Sequence, residues 1–137
     1  MKLDPSAFLA APDLIQALEK RSSPLACAQY HVLFKQGDPP SGLFVLNAGE
    51  ATLTMTSPTG KIITKVTASA GSLLGLPGLI GNEPYSLTAI AKPGAQLSFI
   101  TRDNFAMLMQ SEPSLALKIL QVLAAEVRSA RYALTNK

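Results

Sequence analysis

The side chains that most often carry out catalysis are scarce in this sequence. Its only histidine, His31, stands between Tyr30 and Val32 in a predicted strand, where a structural or surface role is commoner than a catalytic one. Cys27 is the only cysteine, which excludes an internal disulfide, a thiolate zinc site and a four-cysteine iron–sulfur cluster. The sequence contains no nucleophile elbow and no P-loop. We therefore expect no catalytic residue, no metal site and no enzymatic activity.

Composition indicates one packed domain that acts without nucleic acid or membrane. The 137 residues are 47% hydrophobic and only 15% charged, so the chain is too apolar to stay disordered. Its net charge of +3 is scattered, which argues against nucleic-acid binding by this chain. Asp4, Pro5 and Asp13 interrupt any signal-peptide core, and no window approaches the length of a membrane span. We expect a cytoplasmic protein.

The pattern of apolar residues divides this single domain, residues 1–137, into three regions. Residues 1–23 form an N-terminal helical segment, with a helix expected over 13–20. Residues 24–101 consist of short apolar runs separated by Gly, Pro, Asn and Asp, typical of the strands of a sandwich or barrel. Residues 102–137 hold two helices, the first capped by Asp103 and the second extending from Pro113 to Asn136. The fold class is mainly β with flanking helices.

The last helix carries two apolar stripes. One stripe has the four-and-three spacing of a coiled-coil seam, and the second lies beside it. The seam consists of Ala116, Leu120, Leu123, Val127, Ala130 and Leu134, and the second stripe of Leu115, Ile119 and Val122. One stripe can pack against the strands while the other pairs with a second copy, which predicts a parallel homodimer. The alternative is that both stripes form one wide core face.

Glycines at the ends of predicted strands add a more specific pattern. Such positions often need a positive φ, and Gly37, Gly49, Gly71 and Gly75 follow one another before the long helix. With its glycines and long helix in this order, the chain resembles the cyclic-nucleotide-binding domain of the catabolite activator protein (Crp/Fnr-type regulator) family over residues 30–134. The motifs that carry the resemblance are the segments 34–38 and 43–49, Gly60-Lys61, Gly71, Gly75 and Phe105. The resemblance implies an eight-stranded jelly roll, or double-stranded β-helix, with a long C-terminal dimerisation helix.

The resemblance also implies where a ligand pocket should lie. In that family a Gly-Glu-Leu-Ala run binds the ribose through its Glu, and a later Arg-Ser-Ala or Arg-Thr-Ala neutralises the phosphate through its Arg. In this chain Leu76 takes the position of the Glu and Tyr85 that of the Arg. Losing both contacts costs at least ~10²-fold in affinity. The candidate pocket residues are Gly75, Leu76, Pro77, Gly78, Tyr85, Ser86 and Leu87.

Two interpretations of these replacements remain open. Either the pocket is adapted to a less anionic or more apolar ligand, with the Tyr85 and Ser86 hydroxyls as polar groups, or the side chains fill it. We expect a regulatory ligand-sensing domain, related to signalling or transcription regulation, with a small-molecule effector and weakened or lost binding of cyclic AMP and cyclic GMP. The alternative is a ligand-free dimerisation module. No cofactor is assigned with certainty, and a cyclic nucleotide is a candidate that Leu76 and Tyr85 disfavour.

The C-terminus offers no obvious DNA-binding unit. Only three residues follow Leu134, so we expect no helix-turn-helix domain in this chain. Both a stand-alone module and a segment of a longer regulator agree with this ending.

Overall fold

The structure is a computed structural model, and it describes residues 2–135. A short 3-10 helix at Pro5–Phe8 precedes α1, Pro12–Glu19. Eight strands follow in the described residues, with one short helix among them, and two helices end the chain. The strands are β1 Ser23–Ala26, β2 His31–Phe34, β3 Gly42–Ala48, β4 Ala51–Thr56, β5 Ile62–Ala68, β6 Leu73–Leu74, β7 Thr88–Ala91 and β8 Gln96–Thr101. The remaining helices are α2 Leu76–Gly81, α3 Arg102–Ser111 and α4 Pro113–Thr135.

The strands form two four-stranded antiparallel sheets, which confirms the expected jelly roll. The first sheet has the order β1-β8-β3-β6 and the second the order β2-β7-β4-β5. In the β4–β5 hairpin Leu53 pairs with Val66, and both side chains are buried while their neighbours along each strand are more exposed. This alternation puts one face of each strand into a core between the sheets.

A second core lies between the first sheet and the helices. Leu43 of β3, Ile100 of β8 and Leu108 of α3 are fully buried there. The cap of α3 differs from the expectation, because the Thr101 hydroxyl, and not the side chain of Asp103, accepts a hydrogen bond from the backbone N–H of Asn104. Asp103 instead lies in the first helical turn, where a carboxylate also interacts favourably with the helix dipole.

The long helix α4 buries one apolar stripe and leaves three of the six residues of the other exposed. Leu115, Ile119 and Val122 are at most 7% exposed. Half or more of the surface of Leu120, Val127 and Leu134 remains exposed in the single chain. The two stripes therefore do not form one wide core face. The expected end of the helix at Asn136 lies outside the described residues.

The N-terminal segment lies across α4 and the roll. The backbone N–H of Asp4 donates a hydrogen bond to the hydroxyl oxygen of Ser129 on α4 over 2.8 Å, and Leu9 forms an isolated antiparallel bridge with Ser72. These contacts hold the 3-10 helix between α4 and β5. Within residues 2–135, no helix has the combined length and apolar character needed to cross a membrane.

Candidate ligand pocket

Two adjoining cavities lie between the roll and α4, and together we call them the α4 pocket. The outer cavity has a volume of about 170 Å³ and the inner one about 30 Å³. Both are lined by Phe8, Pro77, Ser86, Leu87 and Glu126. Six of the seven candidate residues from the sequence are brought together here: Gly75, Pro77, Gly78, Tyr85, Ser86 and Leu87.

Leu76 is the exception, and its position corrects the sequence-based expectation. Its side chain is fully buried in the core between the first sheet and the helices, in the same cluster as Leu43 and Ile100. It lines neither cavity. A leucine gains stability by packing among other apolar side chains, whereas the glutamate that the family resemblance implies here would be destabilised at this buried position.

Tyr85 lines the inner cavity, and its hydroxyl uses all of its hydrogen-bonding capacity on other groups of the protein. The ring stacks on Phe34 with a centroid distance of 4.0 Å and is only 3% exposed. The hydroxyl accepts hydrogen bonds from the backbone N–H groups of Ser41, at 3.0 Å, and Gly42, at 3.1 Å, and donates one to the Gly42 carbonyl oxygen at 2.8 Å. A hydroxyl has one donor and two acceptor sites, so Tyr85 has none left for a ligand.

Gly75 is required by the position of the Tyr85 ring. Its backbone is left-handed, with φ 98°, and an added Cβ would lie 2.9 Å from the ring carbon Cε1 of Tyr85. A glycine is the residue that tolerates both the positive φ and the close approach. The turn before α2 and the position of the Tyr85 ring beside the inner cavity therefore depend on each other.

Glu126 is the site residue that the sequence analysis missed. It lies on α4, lines both cavities and is only 9% exposed. Across the part of the chain that the structure describes, neither of its carboxylate oxygens has a hydrogen-bond partner. Burial raises the pKa of Glu126 to about 8. The signal was present in the sequence, because Glu126 continues the buried stripe four residues after Val122.

Four basic residues, from the β4–β5 turn, β5 and α4, stay out of the pocket. Lys61, Lys65, Arg128 and Arg131 do not line either cavity. Among the described lining residues, Glu126 is thus the only side chain that ordinarily carries a charge at neutral pH. The described lining of the two cavities therefore contains no cation that could neutralise a phosphate.

The seam residues predicted for dimerisation lie on the same helix as Glu126. Leu120, Val127 and Leu134 are exposed, while Leu123 and Ala130 are half-buried. Val127 and Ala130 also line the outer cavity. The pocket and the apolar seam therefore share two residues.

Comparison with known proteins identifies the family of this chain. Residues 26–112, more than half of the chain, match the family model described as the cyclic nucleotide-binding domain. The chain belongs to the cyclic nucleotide-binding domain family. A search of curated proteins gave no match.

Several solved structures share the fold of this cyclic nucleotide-binding domain. The catabolite activator protein of Thermus thermophilus superposes with a TM-score of 0.80 at 23% identity, over 96% of this chain and 62% of that one. The N-terminal domain of a transcriptional regulator from Streptomyces coelicolor A3(2) has a TM-score of 0.67 at 23% identity, over 93% of this chain and 91% of that one. The sensor domain of the transcriptional regulator DNR from Pseudomonas aeruginosa has a TM-score of 0.65 at 20% identity, over 93% and 83%. At these identities the similarity shows the fold alone, and the chain spans 62% of the Thermus protein.

Proposed function

We propose that this chain is a regulatory ligand-sensing domain in which occupancy of the α4 pocket changes the apolar seam of α4. The observation that carries the proposal is that Val127 and Ala130 belong both to the outer cavity and to the seam. A ligand that contacts these side chains favours some positions of α4 over others. It therefore shifts the population of α4 conformations, and with it the arrangement of the seam residues. The domain regulates and does not catalyse.

The partner at the seam is a second copy of this chain. Leu120, Val127 and Leu134 form a line of exposed large apolar side chains along one face of a 23-residue helix. Such a line is costly to leave in water, and its spacing matches the knobs-into-holes packing of a two-stranded coiled coil. A parallel dimer covers the stripe on both copies at once.

Binding of cyclic AMP and cyclic GMP is weakened or lost in this domain. Tyr85 lines the inner cavity and stands where the resemblance implies the family's arginine, and its hydroxyl is already hydrogen-bonded to Gly42 of β3. Leu76 offers no acceptor for a ribose hydroxyl, and its side chain turns away into the core. No lysine, arginine or histidine among the described lining residues would neutralise the phosphate.

One observation favours the alternative of a ligand-free dimerisation module. The stacked rings of Phe34 and Tyr85 leave only about 30 Å³ in the inner cavity. In that case the roll serves as a rigid support for α4, and changes inside the pocket leave the dimer unaffected.

Analytical ultracentrifugation of the whole chain tests the dimer first. We expect a dimer at tens of micromolar protein, and at least about tenfold weaker association in Leu120→Ser, because a seam contact is lost. Met107→Ser is the matched control, since Met107 on α3 is 54% exposed and Leu120 is 53% exposed. A monomeric wild-type protein would reject the dimer.

A second pair of variants tests the link between pocket and seam. Leu87→Ala enlarges the pocket from the roll side and changes no residue of α4. Leu25→Ala is its control, because both leucines are half-buried against the same core. We expect Leu87→Ala to change the dimer dissociation constant several-fold and Leu25→Ala to leave it unchanged. If neither variant changes it, the ligand-free module is the better description.

A further inference from the structure

We propose that the α4 pocket binds a small apolar organic cation, such as a primary amine on a single ring or short alkyl group, with the Glu126 carboxylate as its ion-pair partner. The inference rests on the proposed ligand-sensing function and names the chemical class of the ligand. The proposed ligand carries a positive charge, whereas a cyclic nucleotide carries a negative one.

The position of Glu126 is the first argument. A carboxyl group that is nine-tenths buried and unpartnered within residues 2–135 is costly, because the loss of hydration is not repaid by protein hydrogen bonds. Its place in the stripe after Leu115, Ile119 and Val122 would suit an apolar residue. A ligand that donates to the carboxylate supplies the missing partner.

The surroundings of Glu126 are the second argument. Every element packed around it contributes apolar side chains to the outer cavity: Leu3 and Phe8 from the N-terminal segment, Met55 from β4, Pro77 from α2, Leu87, and Val127 and Ala130 from α4. Among the lining residues of both cavities that the structure describes, Tyr85 is the only other titratable group. No lysine, arginine or histidine is in this set, so a ligand's cation would have no competitor for the carboxylate.

The other polar groups of the pocket leave Glu126 as the main partner for a polar group of the ligand. The Tyr85 hydroxyl is saturated by backbone groups, and the Ser129 hydroxyl oxygen accepts the N–H of Asp4. Ser86 and Ser129 supply the two side-chain hydroxyls of the outer cavity. One buried acid and two hydroxyls in an apolar cavity suit a ligand with a single cationic donor group better than one with several charged groups.

The volume limits the size of the ligand. The outer cavity measures about 170 Å³. A dry apolar cavity of about 150 Å³ accommodates one benzene molecule. A benzylammonium ion therefore has the right size, with its ring among the apolar side chains and its ammonium group at Glu126.

Binding should release a proton. Because burial raises the pKa of Glu126 to about 8, the carboxyl is largely protonated at neutral pH in the free protein. An ammonium ion pairs with the ionised form, so the Glu126 O–H bond breaks, the proton passes to buffer and the carboxylate accepts from the ammonium N–H. Roughly one proton per bound ligand is expected at neutral pH.

Isothermal titration calorimetry with three probes of similar shape tests this inference: benzylammonium, benzyl alcohol and benzoate. In buffers of different ionisation enthalpy, we expect benzylammonium to bind at least about tenfold more tightly than benzyl alcohol, with proton release, and benzoate to bind most weakly. Glu126→Gln keeps the side-chain shape and should abolish both the preference and the proton release. Glu112→Gln, which removes an exposed acid just before α4, should change neither.

The outcomes separate this inference from the proposed function. Equal affinity for benzylammonium and benzyl alcohol, or an unchanged preference in Glu126→Gln, overturns the cation class but keeps a ligand pocket. No binding of any probe to the wild-type protein overturns the inference. If in addition Leu87→Ala leaves the dimer unchanged, the sensing function fails as well. A cooperative thermal transition of Glu126→Gln verifies that the variant is folded.

Discussion

The buried carboxyl of Glu126 makes the stability of this domain depend on pH. The pKa of Glu126 is raised from its usual value of 4.5 to about 8 in the folded protein, because burial disfavours the charged form. Between these two pH values the unfolded chain has lost the proton while the folded chain keeps it. The folded state then binds more protons than the unfolded state, so the free energy of unfolding falls as pH rises through this window.

The size of the effect follows from the two pKa values. Each pKa unit corresponds to about 1.4 kcal/mol. Relative to acidic pH, Glu126 therefore lowers the free energy of unfolding by about 3 kcal/mol at pH 7 and by between about 4 and 5 kcal/mol above pH 8. Below the unfolded value both states are protonated and the cost disappears. Glu126→Gln is neutral at every pH, so we expect it to match the wild type near pH 4 and to be more stable by about 3 kcal/mol at pH 7.

Urea denaturation followed by circular dichroism measures this difference. Both proteins are unfolded at one fixed protein concentration across the pH range from about 4 to 9, because a dimer makes stability concentration-dependent. The difference between the two curves isolates Glu126 from the other titrating groups. Glu112→Gln should follow the wild-type profile. Parallel profiles for wild type and Glu126→Gln over this range would refute the argument that the carboxyl is buried without a partner.

Three further predictions concern Tyr85, its hydrogen-bond partner Gly42 and the core residue Cys27. Tyr85→Phe should lower the free energy of unfolding in urea by about 2 to 3 kcal/mol, because backbone groups of Ser41 and Gly42 lose their partner while the ring remains. Gly42→Ala should cost more than about 3 kcal/mol in the same assay, since its Cβ would lie 2.3 Å from the Ile100 carbonyl oxygen; an unchanged denaturation midpoint would contradict this. Cys27 should react with a thiol reagent far more slowly in the folded protein than in urea, because burial shields the thiol and raises its pKa; equal rates would show that it is accessible.

The amino-acid sequence by itself determined the elements and their class. Alternating apolar residues in segments such as β4 and turn glycines define short strands, and both signals act over a few neighbouring residues. Gly75 does adopt the left-handed backbone expected at a strand end. The two stripes of α4 follow from helical periodicity in the same way, and the structure separates them into a buried one and a partly exposed one.

Only the tertiary structure decided which side chains face the pocket. The Tyr85 hydroxyl is bonded to Gly42, 43 residues away, and Leu76 turns into the second core, and neither outcome follows from local sequence. The N-terminal segment packs against α4 through a contact between Asp4 and Ser129, 125 residues apart, and it helps to close the pocket over Glu126. The burial of that carboxyl arises from elements distant in the chain. Periodicity could place Glu126 on the inner stripe of α4, but only the packed molecule reveals that it has no partner there.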